Sequence, residues 1–236
     1  MKYILCLVVI LIVYFGFYAV RIFYFSYYSP LAQINPKDTV LGQGQTLKYI
    51  AAGDSTAVGV GASSFQTSYS YKLAEHFSKN SKVEYTNVAL SGARTTNVIN
   101  TQLDKIIEFN PDVVTISIGA NDVTHLTSTK TVINNFKQII SEIESKTHAK
   151  IYLTNIPNFT GAKLLPFWYI DILENKSKKI NEQLAGLESE RVHIVNIHDF
   201  GWDKFPDLSV TYAADNFHPS DIGYQNWTNA FLNRLK

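Results

Sequence analysis

Residues 47–56 read LKYIAAGDST. The apolar run Leu47–Ala52 has the length of a strand, and Gly53-Asp54-Ser55 then stops it with residues that favour turns and helix caps. Four more runs follow: Val83–Ala89 (VEYTNVA), Val113–Ile118 (VVTISI), Ile151–Asn155 (IYLTN) and Val192–Ile197 (VHIVNI). They are short and rich in β-branched residues. Between them the pattern predicts helices near 68–79, 96–109, 129–147 and 170–188, with a last one over 220–235. In 98–109, for example, Val98, Ile99, Leu103, Ile106 and Ile107 recur at helical spacing. Strands that alternate with helices predict an α/β domain whose parallel sheet is covered on both faces. Ligands of such sheets bind beyond the carboxyl ends of the strands.

Four motifs fall at those ends: Gly53-Asp54-Ser55-Thr56, Ser91-Gly92-Ala93, Gly119-Ala120-Asn121-Asp122 and Asp215-Asn216-Phe217-His218-Pro219-Ser220. Singly, each reads as an ordinary turn, cap or surface pair. Together they supply the parts for acyl transfer. A serine hydroxyl needs a base to take its proton, and the base needs an orienting partner. Ser55, His218 and Asp215 fit those roles, and an Asp and a His three residues apart can face one cleft. The tetrahedral intermediate needs preplaced donors for its oxyanion. The backbone amides of Ser55 and Gly92 and the side-chain amide of Asn121 are the candidates. A glycine at 92 lets a backbone N–H approach without a Cβ in the way.

These blocks, read as GDST, the glycine of ALSGART, the asparagine of SIGAND, and DNFHPS, resemble the SGNH hydrolase superfamily of GDSL esterases and lipases. The resemblance runs from about Lys48 to Lys236. It implies a three-layer α/β/α sandwich around a parallel sheet of about five strands, the flavodoxin-like SGNH fold. It also implies the catalytic set Ser55, Asp215 and His218, with an oxyanion hole at Ser55, Gly92 and Asn121. One departure is visible: Thr56 stands where the family usually has Leu, at a position expected to pack or cap rather than react. SYSYKLAEHF and NPDVVTISIGANDV also resemble a bacterial subset described only as lipase-like or acylhydrolase-like.

The chain has 236 residues, 46% hydrophobic and 17% charged, with a formal net charge of +1. An aromatic content of 13% excludes a disordered chain, and the charge balance argues against a nucleic-acid binder. The average hides two parts. Tyr3 to Val20 run eighteen residues without a charge, which as a helix rises about 27 Å, close to a bilayer's hydrocarbon thickness. Phe23, Tyr24, Phe25, Tyr27 and Tyr28 read as an interfacial aromatic belt, and Pro30 as a stop. A cleaved signal peptide would have a shorter apolar run and a small-x-small cleavage site, so an uncleaved anchor is favoured over a secreted form. Residues 1–30 are therefore read as a membrane anchor with the N-terminus inside, 31–46 as a linker, and 47–236 as an extracytoplasmic hydrolase domain. The anchor carries Lys2 and Arg21 and no acid, which leaves the other 206 residues at a formal −1.

No phosphate-binding glycine loop, paired-cysteine spacing or His-Glu-x-x-His occurs, so neither a cofactor nor a metal is expected. His76, His125, His148, His193 and His198 read as surface or packing residues. The serine does not sit in Gly-x-Ser-x-Gly, which argues against an α/β-hydrolase elbow. Two loops are expected to wall the cleft, 157–169 with Phe159, Leu164, Leu165, Phe167 and Trp168, and 201–214 with Trp202, Phe205 and Tyr212. An apolar lining suits an acyl chain or hydrophobic alcohol. The expected substrate is a small-molecule or lipid ester, cleaved through an acyl-serine. The alternatives are an O-acetyl esterase or acetyltransferase on cell-envelope glycans, and a non-catalytic binding domain.

Overall fold

The computed structural model describes residues 2–27 and 31–235. The side chains of Phe25 and Tyr27, together with Tyr28 and Pro30, lie outside that description. A long helix α1 (Lys2–Tyr27) precedes the domain. Its segment Lys2–Tyr24, of mean hydropathy 2.6, is long and apolar enough to cross a membrane, and it is not buried against the domain.

The sheet has six strands among the described residues: β1 (Thr39–Leu41), β2 (Thr46–Gly53), β3 (Lys82–Asn87), β4 (Val113–Ser117), β5 (Lys150–Thr154) and β6 (Val192–Val195), in spatial order β1-β3-β2-β4-β5-β6. The five strands expected from the sequence are the parallel ones. The sixth, β1, pairs antiparallel with β3 and closes that edge. It comes from the stretch read as linker, because three residues of edge strand leave too little periodicity to register.

The strands are short and apolar on both sides because both faces are covered. Along β2 the side chains alternate. Ile50 and Ala52 join a core with Val114, Ile116, Ile151 and Leu153 beneath α4 (Thr95–Asn97), α5 (Leu103–Phe109), α7 (Thr129–Lys146) and α8 (Phe167–Ala185). Tyr49 and Ala51 face an aromatic core under α3 (Tyr69–Phe77) and α9 (Asp221–Arg234), where Tyr49, Tyr69, Tyr85, Tyr224 and Phe231 are almost wholly buried. The result is a three-layer α/β/α sandwich, as the resemblance implies.

Topology positions the site. From β2 the chain crosses to β3 on one side and returns to β4 on the other, so the carboxyl end of β2 opens onto the crevice where the winding reverses. Two short helices begin at this edge, α2 (Ser55–Val58) after β2 and α6 (Ala120–Thr124) after β4. Neither is long enough to show a period of 3.6, and the sequence marks both only as caps.

Candidate active site

Gly53 ends β2 at φ +128°, and a Cβ there would lie 1.8 Å from the Ser117 carbonyl oxygen. Only glycine permits this close approach of β2 to β4. Asp54 then caps α2: its carboxylate accepts from the Thr56 N–H (2.9 Å) and the Thr56 hydroxyl (2.7 Å). Thr56 also shares a 2.7 Å hydrogen bond with the Ser117 hydroxyl. The residue that departs from the family pattern is therefore buried and braces the capping Asp54. Burial pushes the Asp54 carboxyl up to about 6, against the pull of the two Thr56 bonds. Ser55, the first residue of α2, is held by this cap at the crevice.

The partner groups arrive from the far end of the chain. His218 Nε2 lies 2.9 Å from Ser55 Oγ, and His218 Nδ1 lies 2.5 Å from Asp215 Oδ2. The other oxygen of Asp215 accepts the N–H groups of Phe217 and His218, each at 3.0 Å. Burial alone would raise the Asp215 carboxyl. The His218 hydrogen bond and charge, with the two backbone N–H groups, hold it below the usual carboxylate range. An imidazole held in this way can take a proton from the serine, with the carboxylate fixing its tautomer.

The third and fourth candidates sit on adjoining loops. Asn121 Nδ2 donates to the Ala93 carbonyl at 2.9 Å, which leaves its second N–H uncommitted. Gly92 has φ +77° and lies in a turn fixed on one side by Leu90 N–H to Gly53 O (3.1 Å) and on the other by the Asn121–Ala93 bond. Asp122 and Gln102 are the supporting residues that the sequence reading missed. Fully buried Asp122 accepts the Thr95 N–H (2.8 Å) and hydroxyl (2.9 Å), which clasps the Gly92 loop to α6. Gln102 lies in a π-helical stretch, Val98–Gln102, that joins α4 to α5, and it pairs with both backbone groups of Gly53 at 2.8 Å. Asp122 follows Asn121 directly and so carried a positional signal. Gln102 carried none, since only the π-turn brings its amide to the end of β2.

The cleft beside Ser55 spans about 560 Å³, including space open to solvent. Phe159, Trp202 and Tyr212 line it, as the loops predicted. Leu164, Leu165, Phe167, Trp168 and Phe205 do not. Leu165 packs on the core, while Phe167 is largely exposed and Trp168 meets α1. Ala120, Phe217 and Trp227 also contribute; Trp227 comes from α9, whose inner face was unreadable as cleft before the fold was known. No group of three or more His, Cys, Asp or Glu side chains suited to a metal occurs among the described residues.

The fold has counterparts among solved structures. The lipase Lip_vut3 from a goat rumen metagenome superposes with a TM-score of 0.64 at 23% identity, over 80% of this chain and 97% of that one. A Clostridium thermocellum family 3 carbohydrate esterase gives 0.61 at 19%, over 80% and 95%. TesA gives 0.60 at 18%, over 80% and 98%. At these identities the likeness is one of fold. No curated protein sequence matches the chain. A family profile decides membership, because it matches residues 51–225, from the end of β2 past His218 into α9. On that match, which spans well over half of its length, the chain belongs to the GDSL-like lipase/acylhydrolase family.

Proposed function

We propose that this protein is a membrane-anchored, extracytoplasmic serine esterase that cleaves carboxylic esters, lipase- or lysophospholipase-like in its substrates, through an acyl-serine intermediate. The observation that carries this reading is the continuous line Ser55 Oγ–His218 Nε2 (2.9 Å) and His218 Nδ1–Asp215 Oδ2 (2.5 Å) at the carboxyl edge of the sheet. Ser55 Oγ attacks the ester carbonyl as His218 takes its proton and Asp215 steadies the imidazolium. The Ser55 and Gly92 amides and the free N–H of Asn121 receive the oxyanion. His218 returns the proton to the departing alcohol. A water, deprotonated by the same imidazole, then releases the acid and regenerates Ser55. The aromatic lining favours an apolar acyl group. The anchor reading rests on the length and hydropathy of Lys2–Tyr24, and the outward placement of the domain on Lys2 at the inner end.

The test is Ser55→Ala. Hydrolysis of short p-nitrophenyl esters is expected to vanish while the protein keeps a cooperative thermal unfolding transition. Undiminished turnover in that variant would refute the assignment. Fatty-acid release from lysolipids, set against acetate release from O-acetylated envelope glycans, separates the lipid-directed reading from a glycan deacetylase or transferase.

A further inference from the structure

The protein holds a second buried histidine–carboxylate pair, one that the proposed reaction does not use. Glu174 on α8 and His198 just beyond β6 are both buried, and Glu174 Oε2 lies 3.2 Å from His198 Nε2. Glu174 Oε1 accepts the backbone N–H of Phe159, an aromatic residue of the cleft wall. On its other side, His198 Nδ1 meets Asp199 Oδ1 at 2.6 Å.

The segment that carries Phe159 has no regular structure, so its position depends on its ties. Asn181, two helical turns beyond Glu174 on the same face of α8, clasps both backbone groups of Ile156 at 2.7 and 3.0 Å. The Tyr212 hydroxyl donates to the Asn158 carbonyl at 3.3 Å. Glu174 is the tie that holds Phe159 itself, the residue whose ring faces Phe217 beside His218 (centroids 6.5 Å apart). A buried carboxylate is costly unless it is paired and hydrogen-bonded, and Phe159 N–H and His198 meet that need together. Removing Glu174 leaves the Phe159 N–H and His198 Nε2 without this partner at once, while His198 Nδ1 keeps Asp199.

We propose that the Glu174–His198 pair is a positioning device for substrate selection: it fixes Phe159 and so sets the wall against which the acyl chain of the ester lies. The inference rests on the esterase reading and concerns which esters are taken. It assigns Glu174 and His198 no contact with the reacting atoms. The sequence offered Glu174 as one more helix residue and His198 as a packing histidine, because nothing local links α8 to the end of β6.

The experiment compares full-length wild type, Glu174→Ala, Glu174→Gln and His198→Gln in detergent on p-nitrophenyl esters from acetyl to dodecanoyl. The readout is kcat/KM for the best long acyl chain relative to acetyl, with KM and kcat resolved separately. Glu174→Ala is expected to lower that ratio about tenfold, chiefly through KM, because lost contacts in the wall affect binding of the chain before chemistry. His198→Gln is expected to lower it in the same direction. Glu174→Gln, which keeps an acceptor for Phe159 N–H, is expected to stay within about twofold of wild type. Decanoate affinity, read from tryptophan fluorescence of the cleft, should weaken in parallel and needs no turnover. A folded Glu174→Ala with wild-type ratio and decanoate affinity overturns the inference and leaves the esterase reading intact. If Glu174→Ala does not fold, His198→Gln decides by the same two measurements. Wild type without ester hydrolysis would overturn the esterase reading itself, and unchanged decanoate binding in the variants would then overturn this one separately.

Discussion

Asp54 and Asp215 are both buried carboxylates near His218, and their environments push them in opposite directions. Asp215 is repaid for its burial by the imidazole and two backbone N–H groups and stays below the usual range. Asp54 has the Thr56 bonds and the more distant charge of His218, and burial outweighs them and raises it to about 6. The linkage sign follows. Between the unfolded value of 3.8 and about 6, the native state holds more protons than the unfolded chain, so stability falls as pH rises through that window. Fully ionised Asp54 costs about 3 kcal/mol on that shift. Asp54→Asn keeps an acceptor for Thr56 and removes the titration. Urea unfolding of both proteins at pH 4, 5, 6 and 8 should show the variant gaining on wild type as pH rises. A pH-independent difference would show that Asp54 does not titrate in this window. The proposed nucleophile, base and orienting acid, Ser55, His218 and Asp215, were all legible as residues, because acyl transfer needs side chains of those types. What Asp54 does next to them was not legible, since its pKa is set by a burial that no local pattern encodes.

The elements that build the site are short, and their termini do the positioning. Helix α2 is four residues and α6 is five, and each is held by a cap or clasp together with a single core residue, Ala57 or Val123. Asp122 is the clasp between α6 and the loop of Gly92, through two bonds to Thr95. Loosening it should misplace the proposed oxyanion donors without deleting one. Asp122→Ala is therefore expected to lower kcat about 10- to 100-fold, less than the 10²–10³ typical for losing a donor outright, with KM nearly unmoved. A proportional rise in KM with kcat intact would place Asp122 in substrate binding instead. The longer elements were readable to within a few residues: 129–147 became Thr129–Lys146, and 220–235 became Asp221–Arg234. Their apolar stripes span several turns, whereas β1, α2 and α6 are too short to establish a period.

At the scale of the whole molecule, an apolar helix is joined to a slightly acidic α/β domain. Among the described residues, Tyr14, Phe15 and Arg21 of the helix touch the domain. Trp168 Nε1 donates to the Tyr14 hydroxyl (3.2 Å), the Phe15 and Trp168 rings pack edge to face, and Arg21 donates to the Lys163 carbonyl (3.0 Å). Tyr14 lies well inside the uncharged run, so crossing a bilayer at full depth exchanges this contact for lipid. None of these residues lines the cleft. Removal of residues 1–30 is accordingly expected to leave kcat/KM on a soluble acetyl ester within about twofold, and to move the protein from a carbonate-resistant membrane fraction to the supernatant. Sedimentation of the truncated chain with the membrane would place the anchor elsewhere.

The sequence by itself determined the alternation of strands and helices, the apolar helix, and the four blocks at the strand ends. Each is a local signal, written in periodicity or in residue types that sit within a few positions of one another. The tertiary structure alone decided the rest. It set β1 at the sheet edge, paired Gln102 with Gly53, put Trp227 in the cleft, and joined Glu174 to His198. All of these depend on contacts between distant segments, whose partners exist only once burial has chosen which faces meet. The Ser55–His218 pair spans both kinds of information: its members were named by chemistry, and their 2.9 Å separation was fixed by the winding of the sheet.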